Sequence, residues 1–473
     1  MRGAERGPVR RWMTYSIALA VIGAMALGGT AATAAPVSFD QTFGTAGSNP
    51  VSIPEGVQRI NVVLIGAPGA STSPSSGTTI SGGRGARVAG PLGVTPGETI
   101  FAVVGGSPAS TTRWIGGFNG GGTSPRNVPN FDNPGGGGGG ASDIRLDPSD
   151  LSSRVAVAGG GGGAGRSSNP DGASAGGAGG HGWSSAVNGA GGSGPSSGGA
   201  GGGGGATAAA GGSAGSGVGD GGNGTAGGVG IGGAGGLSLF NAPSGGGGSG
   251  GGGLFGGGGG GAGGDLSSFT AGAGGGGGSS LLPSAGATIG VADAGASASI
   301  RISYEIPETA LDSPPPAFTN ETAPEFTFSG SGAGLTGFMC SLDGGAPESC
   351  TSPTASEPLA DGPHSFAVHA VNDQTNFDPT PAISEFRVDT AAPNTTIKRL
   401  PKSIRMSRLK VRFKADERAD FECGLNGKRA RDCDSPYRTP RLKAGRNVLR
   451  IAATDRAGNA EAKPAKAVVK VKR

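Results

Sequence analysis

The stretch Phe338-Met339-Cys340-Ser341-Leu342-Asp343-Gly344 returns 83 residues later as Phe421-Glu422-Cys423-Gly424-Leu425-Asn426-Gly427. The same offset lays Cys350 on Cys433, Ser352-Pro353 on Ser435-Pro436, Gly362 on Gly445, Phe366 on Leu449, Val368 on Ile451 and Asn376 on Asn459. Agreement at one spacing over so many positions defines a duplicated unit. Apolar residues alternate in both copies, Phe366, Val368 and Ala370 in the first and Leu449, Ile451 and Ala453 in the second, which is the period of a strand with one buried face. A unit of this length holds about seven short strands, the content of a β-sandwich. Asp343-Gly344 and Asn426-Gly427 suit tight hairpin turns. Repeat 1 is placed at 307–390, with the proline-rich Asp312-Ser313-Pro314-Pro315-Pro316 read as a linker ahead of the matched positions, and repeat 2 at 391–473.

All four cysteines fall inside these units. Four cysteines allow three pairings, and the repeat symmetry selects Cys340 with Cys350 and Cys423 with Cys433. Closing such a loop stabilises each small unit by about 3 kcal/mol in the chain-entropy model. The spacing fits no zinc pattern. The run Phe-x-Cys-x-Leu-Asp-Gly, a second Cys, Ser-Pro and a Gly before a β segment resembles the bacterial immunoglobulin-like modules that occur in tandem on secreted proteins. That resemblance implies two immunoglobulin-like β-sandwiches.

The first half is of another kind. Glycine accounts for 104 of the 473 residues, mostly in runs such as Gly135–Gly140, Gly159–Gly163, Gly201–Gly205 and Gly256–Gly261. Composition by itself points to disorder, because glycine loses the most backbone freedom on folding and has no side chain to bury. Two features point to order. Apolar residues recur among the runs, at Trp114, Phe118, Trp183, Leu237, Phe240, Leu254, Phe255, Phe269, Leu281 and Leu282. Strand patterns also flank them: Ile60, Val62 and Leu64 and the run Thr99–Val104 before, and Ile300, Ile302, Tyr304 and Ile306 after. The simplest partner of Ser297–Ile306 is the N-terminal sheet. One domain then spans 36–306, with a glycine-rich insertion at about 105–290. Consecutive glycines have one ordered option closed to other residues, extended threefold helices packed side by side and hydrogen-bonded to one another.

Val62-Val63-Leu64-Ile65-Gly66-Ala67-Pro68-Gly69, Gly116-Gly117-Phe118-Asn119-Gly120-Gly121-Gly122, Ala141-Ser142-Asp143-Ile144-Arg145 and Val155-Ala156-Val157-Ala158 resemble the glycine-rich domain of many secreted bacterial proteins. That domain is similar to the extracellular glycine-rich region of the anaplastic lymphoma kinase receptors. The resemblance covers roughly 40–306 and implies a jelly-roll sheet with bundled polyglycine helices. Kinase activity does not come with it, since the chain has no His-Arg-Asp catalytic loop and no Asp-Phe-Gly. The cysteines of the receptor region are also missing before Cys340.

Residues 1–35 have the order of a secretory signal: Arg2, Arg6, Arg10 and Arg11, an apolar stretch from Met13 to Leu27, then Ala32-Thr33-Ala34 before Ala35-Pro36. No later apolar run is long enough to span a membrane. The expected place of the protein is outside the cell or on its surface, where paired cysteines persist. The three histidines, His181, His364 and His369, are separated from any nucleophile motif, and neither a cofactor nor a small-molecule substrate is indicated. Asp455-Arg456-Ala457-Gly458-Asn459 reads most simply as a turn between strands, with calcium binding as the lesser alternative.

Charge is uneven. From Ala391 onwards there are 23 Lys and Arg against 8 Asp and Glu, within a chain whose net charge is +4. The sequence therefore supports two readings. In one, the protein is an exported, non-catalytic structural or adhesive surface protein whose repeats are spacers and whose partners are other surface proteins. In the other, the basic repeat docks on an anionic cell-envelope polymer through Lys428, Arg429, Arg431, Arg438, Arg441, Lys443 and Arg446.

Overall fold

The computed structural model describes residues 35–73, 79–110, 113–125, 134–166, 182, 200–238, 245–264 and 270–472. The expected export signal lies outside them apart from Ala35, as do His181, Trp183, Phe240 and Phe269. Among the described residues the architecture is β throughout, with one short 3-10 turn at Leu151–Ser153, and no helix is long and apolar enough to cross a membrane.

The first sandwich uses nine strands: β1 (Val37–Phe43), β2 (Gly47–Ser52), β3 (Arg59–Ile65), β4 (Ala86–Gly93), β5 (Thr99–Val104), β6 (Ser142–Arg145), β7 (Arg154–Ala158), β8 (Thr288–Val291) and β9 (Ser299–Ile306). They form two antiparallel sheets, ordered β1-β9-β3-β4-β8 and β2-β5-β6-β7. The strand after the glycine runs does pair with the N-terminal sheet, as its pattern requires: β9 lies between β1 and β3. Its Ile300, Ile302, Tyr304 and Ile306 join Ile60, Val62 and Leu64 in one buried core. The glycine-rich stretch is not one continuous insertion, because β6 and β7 return from it to complete the second sheet.

The described glycine runs form no helix or ladder, yet their peptide groups are paired. Along 256–263 successive N–H groups donate in rotation to three neighbouring segments. Gly256, Gly259 and Ala262 reach the carbonyls of Gly228, Thr225 and Gly222; Gly257 and Gly260 reach Gly251 and Gly248; Gly258 and Gly261 reach Gly204 and Gly201. The carbonyls of the same segment accept in the same rotation from 212–218, 233–236 and 273–276. A rotation repeating every third residue is that of an extended helix with three residues per turn. The contact leaves no space for side chains: a Cβ on Gly258 would lie 1.9 Å from the Ser213 carbonyl oxygen, and one on Gly259 1.8 Å from that of Ala234.

Repeat 1 comprises β10 (Glu308–Ser313), β11 (Phe318–Thr319), β12 (Glu325–Ser331), β13 (Leu335–Leu342), β14 (Glu348–Cys350), β15 (Thr354–Ala355), β16 (Gly362–Asn372) and β17 (Ala382–Val388). The sheet β10-β12-β15 faces the sheet β11-β17-β16-β13-β14 across a core of Phe326, Phe328, Phe366, Val368, Phe386 and Val388. Repeat 2 follows with β18 (Thr395–Ile397), β19 (Ser403–Ile404), β20 (Lys410–Val411), β21 (Phe413–Ala415), β22 (Ala419–Leu425), β23 (Arg431–Asp432), β24 (Tyr437–Arg438), β25 (Gly445–Asp455) and β26 (Ala465–Val471). Its five-stranded sheet, β19-β26-β25-β22-β23, matches that of repeat 1, while the opposite layer is split into β18-β21 and β20-β24. Both are immunoglobulin-like sandwiches.

The expected disulfides are present, Cys340–Cys350 and Cys423–Cys433. Each clips the edge hairpin of one sheet rather than crossing between layers. The turn pairs Asp343-Gly344 and Asn426-Gly427 all have positive φ, between 52 and 78°, as tight hairpin turns need. The repeated Ser-Pro has a purpose too: Ser352 Oγ accepts from Phe328 N–H, and Ser435 Oγ from Phe413 N–H.

Candidate functional site

The polar residues that the duplication aligns at the end of β16 and of β25 sit where one domain meets the next. After β16 the chain turns through Asp373-Gln374-Thr375-Asn376, held by Asn372 Oδ1, which accepts from the N–H groups of Gln374 and Asn376 at 3.0 Å each. The Asn376 side chain is thereby fully buried against the first sandwich. Its Oδ1 accepts from Gln58 N–H and Arg59 N–H at 2.9 Å, and its Nδ2 donates to the carbonyls of Arg59 at 3.0 Å and Glu305 at 3.2 Å. Phe377 N–H adds a bond to the Gly56 carbonyl; Gly56 has φ +83°, and a Cβ there would strike the Phe377 carbonyl at 2.3 Å. The entry to β3 and the end of β9 are thus gripped by one amide.

Repeat 2 repeats the device on repeat 1. Asp455 to Asn459 is a turn between β25 and β26, closed by Asn459 N–H to Asp455 Oδ1 at 2.8 Å, and Asn459 Nδ2 donates to the Asp389 carbonyl at 2.6 Å. Arg456 of this turn lies over the Phe318 ring.

The second junction also gathers carboxylates. Oxygens of Asp389, Glu417 and Asp455 lie within 4.8 Å of one another. Partial desolvation, then the charges of Asp389, Asp455 and Asp416, raise the Glu417 pKa. These are the residues that could hold a hard cation, although both Asp455 oxygens are already engaged by Asn459. Carboxylate proximity is common on protein surfaces and assigns no ligand by itself.

The seven basic residues named from the sequence are all exposed but do not share one location. Lys428 and Arg429 follow β22, Arg431 is on β23, Arg438 is on β24 opposite Lys410, Arg441 and Lys443 precede β25, and Arg446 is on β25 opposite Lys470. His364 bridges Asp343 Oδ2 at 2.8 Å and the Ala360 carbonyl at 2.9 Å, whereas His369 is half-buried against Phe377 and burial lowers its pKa. Neither contacts a nucleophile. The concavity of about 400 Å³ beside Cys340–Cys350 is lined by Phe326, Leu342, Phe366 and Glu348 among others, without a paired acid and base.

No protein-family model and no curated protein matches this chain. Among solved structures, the Clostridium thermocellum CbhA fibronectin(III)-like modules match over 35% of this chain and 94% of theirs, at 16% identity and a TM-score of 0.26. A superposition that loose adds nothing to the topology above.

Sequence reading missed a buried polar cluster between the first sandwich and its glycine helices. Asp143 accepts from Arg145 Nε at 2.6 Å and Asn119 Nδ2 at 2.9 Å, and lies 2.9 Å from Arg154 Nε. Arg145 and Arg154 also bond Asn119 Oδ1, and Arg154 reaches the Gly253 carbonyl at 2.8 Å. Burial lowers the Arg154 pKa and the Asp143 charge opposes it. With Asp143, Arg145 and Arg154 almost wholly enclosed, the cluster joins sheet to bundle and has no access for a substrate.

Proposed function

We propose that this is an exported, non-catalytic structural or adhesive surface protein, in which a rigid glycine-helix head is held at a set orientation by two spacer sandwiches. The supporting observation is that the Asn376 side chain accepts two hydrogen bonds from the preceding domain and donates two to it, with Asn459 making one such contact one repeat further on. A chain meant only to tether could leave these junctions to solvent. Two disulfides suit an oxidising compartment, and a bundle of peptide groups without side chains gives a protease or ligand little to grip.

Small-angle scattering of chain 36–473 tests the rigidity. The parent should fit a single extended conformer. Asn376→Ala leaves the N–H groups of Gln58 and Arg59 without partners, costs the junction about 1–3 kcal/mol, and should broaden the distance distribution at its long end. A parent that already scatters as a flexible string would end the spacer reading.

A further inference from the structure

The exposed face of repeat 2 carries an arrangement the fold does not need. On β25 the residues alternating with buried Asn447, Leu449 and Ile451 are Arg446, Val448 and Arg450; on β26 the exposed set is Lys466, Val468 and Lys470. The register sets Arg446 opposite Lys470, Val448 opposite Val468 and Arg450 opposite Lys466. The sheet face therefore reads cation pair, valine pair, cation pair, the two cation pairs lying about 13 Å apart along the strands. Like charges directly opposite on neighbouring strands destabilise a sheet. Among the described residues no carboxylate forms an ion pair with any of the four. The nearby acids Glu422 and Asp432 face each other instead, on β22 and β23.

Repeat 1 supplies the control. The same ladder there sets Pro363 opposite Arg387, Ser365 opposite Glu385 and Ala367 opposite Ile383. One scaffold thus carries a nearly neutral face in one copy and a self-repelling cationic face in the other. A repulsion kept at the surface without an internal counter-charge is relieved by an external anion.

We propose that this face of repeat 2 is a docking surface for a linear polyol-phosphate polymer of the cell envelope, each cation pair bracketing one phosphodiester while the uncharged polyol crosses Val448 and Val468. A phosphodiester offers two non-bridging oxygens that can turn towards cations on either strand, whereas a carboxylate's coplanar oxygens suit a single guanidinium fork. Val468, 43% exposed, calls for an uncharged spacer at the centre. The face has no aromatic ring on which a nucleic-acid base could stack. The proposal goes beyond the spacer reading and does not depend on rigid junctions, so either can fail alone.

The test uses chain 36–473, with purified poly(ribitol phosphate), whose five-carbon polyol leaves a long uncharged span between phosphates, as probe and polygalacturonate and single-stranded DNA as comparison polymers. Two variants remove equal charge. One is R446Q/R450Q/K466Q/K470Q on the face, and the other is K428Q/R429Q/R438Q/R441Q elsewhere on the repeat. The expected result is that the face variant loses about tenfold or more in affinity and flattens the salt dependence, while the other loses about threefold or less. The face variant should melt at or above the parent, since it removes repulsion; if it melts below, the double variant R450Q/K466Q is read in its place and should weaken binding several-fold. Equal losses in both variants, no binding by the parent at low salt, or equal affinity for polygalacturonate or DNA would each overturn the proposal.

Discussion

The glycine bundle and the two sandwiches are ordered by opposite means. In the bundle each segment is held by peptide groups rotating through its neighbours, and atoms added to the backbone have nowhere to go. In the repeats, order comes from atoms that are present: Phe326 stacked on Phe366 with centroids 3.9 Å apart, and an edge hairpin clipped by a disulfide. The difference teaches where each region is fragile. The bundle is damaged by enlargement and the sandwiches by deletion, because one has no free volume and the other depends on filled volume.

The largest expected effect follows from enlargement. Gly259→Val forces a side chain into the Ala234 carbonyl, 1.8 Å from the ideal Cβ, and should destabilise the bundle by more than about 3 kcal/mol. Gly228→Val, where nothing lies within 4 Å of the added Cβ, should cost less than about 1 kcal/mol. Hydrogen exchange read by segment should show 200–264 opening in the first variant and unchanged in the second, with β12 and β16 protected in both. Similar losses at the two positions would mean the bundle is not close-packed.

Deletion comes next. Replacing Cys340 and Cys350 by serine should cost repeat 1 about 3 kcal/mol. Scanning calorimetry should then resolve a lowered transition for repeat 1, with the exchange pattern of the bundle unchanged. If the bundle opens with it, the Asn376 junction couples the two regions more strongly than a set of hydrogen bonds should, and the contrast between them fails.

The sandwiches were legible because local patterns determine them: alternation gives the strands, Asp343-Gly344 and Asn426-Gly427 give the turns, and a fixed offset gives the pairing of cysteines. The contacts that set domain positions were not. Asn376 and Asn459 were visible as aligned residues, but Asn376 bonds groups 318 residues away, and no local period encodes a partner that distant. The bundle was legible in kind, though not in extent. The segment between β3 and β4 joins it, with Ala67 and Ala70 accepting from Gly161 and Ala164. A signal was present there, since Gly66 and Gly69, three residues apart, approach the carbonyls of Gly159 and Gly162, also three apart. Net charge located the basic repeat, yet of the seven residues chosen only Arg446 falls in the cation ladder of β25 and β26. Recognising that ladder required the register.

The smallest expected effect separates the two repeats from each other. His364 and its counterpart Asn447 hold the same place: His364 bridges Asp343 and the Ala360 carbonyl, and Asn447 bridges Asn426 and the Lys443 carbonyl. Both ring nitrogens of His364 face acceptors, so only the imidazolium satisfies both; the Ala360 carbonyl and then the Asp343 carboxylate raise its pKa. Burial acts to raise Asp343, but the bonds from His364 and Ser365 N–H outweigh it and the carboxyl is held below its usual value. Stabilisation from the histidine is complete below its unfolded pKa of about 6.5 and is lost as pH rises through the higher folded value. Stabilisation from the aspartate is complete above about 3.9 and is lost as pH falls through the lower folded value. The His364–Asp343 pair therefore contributes most between about pH 4 and 6.5, and its loss on the alkaline side is less than about 1 kcal/mol; His369 of the same repeat, whose pKa burial lowers, acts with the opposite sign, costing stability as pH falls below about 6.5. Repeat 2, with two amides in place of the pair, should show no such slope from this site. H364N/D343N transplants those amides, and Asn tolerates the positive φ at position 343 as Asn426 does. Urea unfolding of repeat 1 followed between pH 5.5 and 8.5 should lose its alkaline fall in stability in this variant, leaving the opposite slope of His369; an alkaline fall that persists would place the titrating group elsewhere in the sandwich.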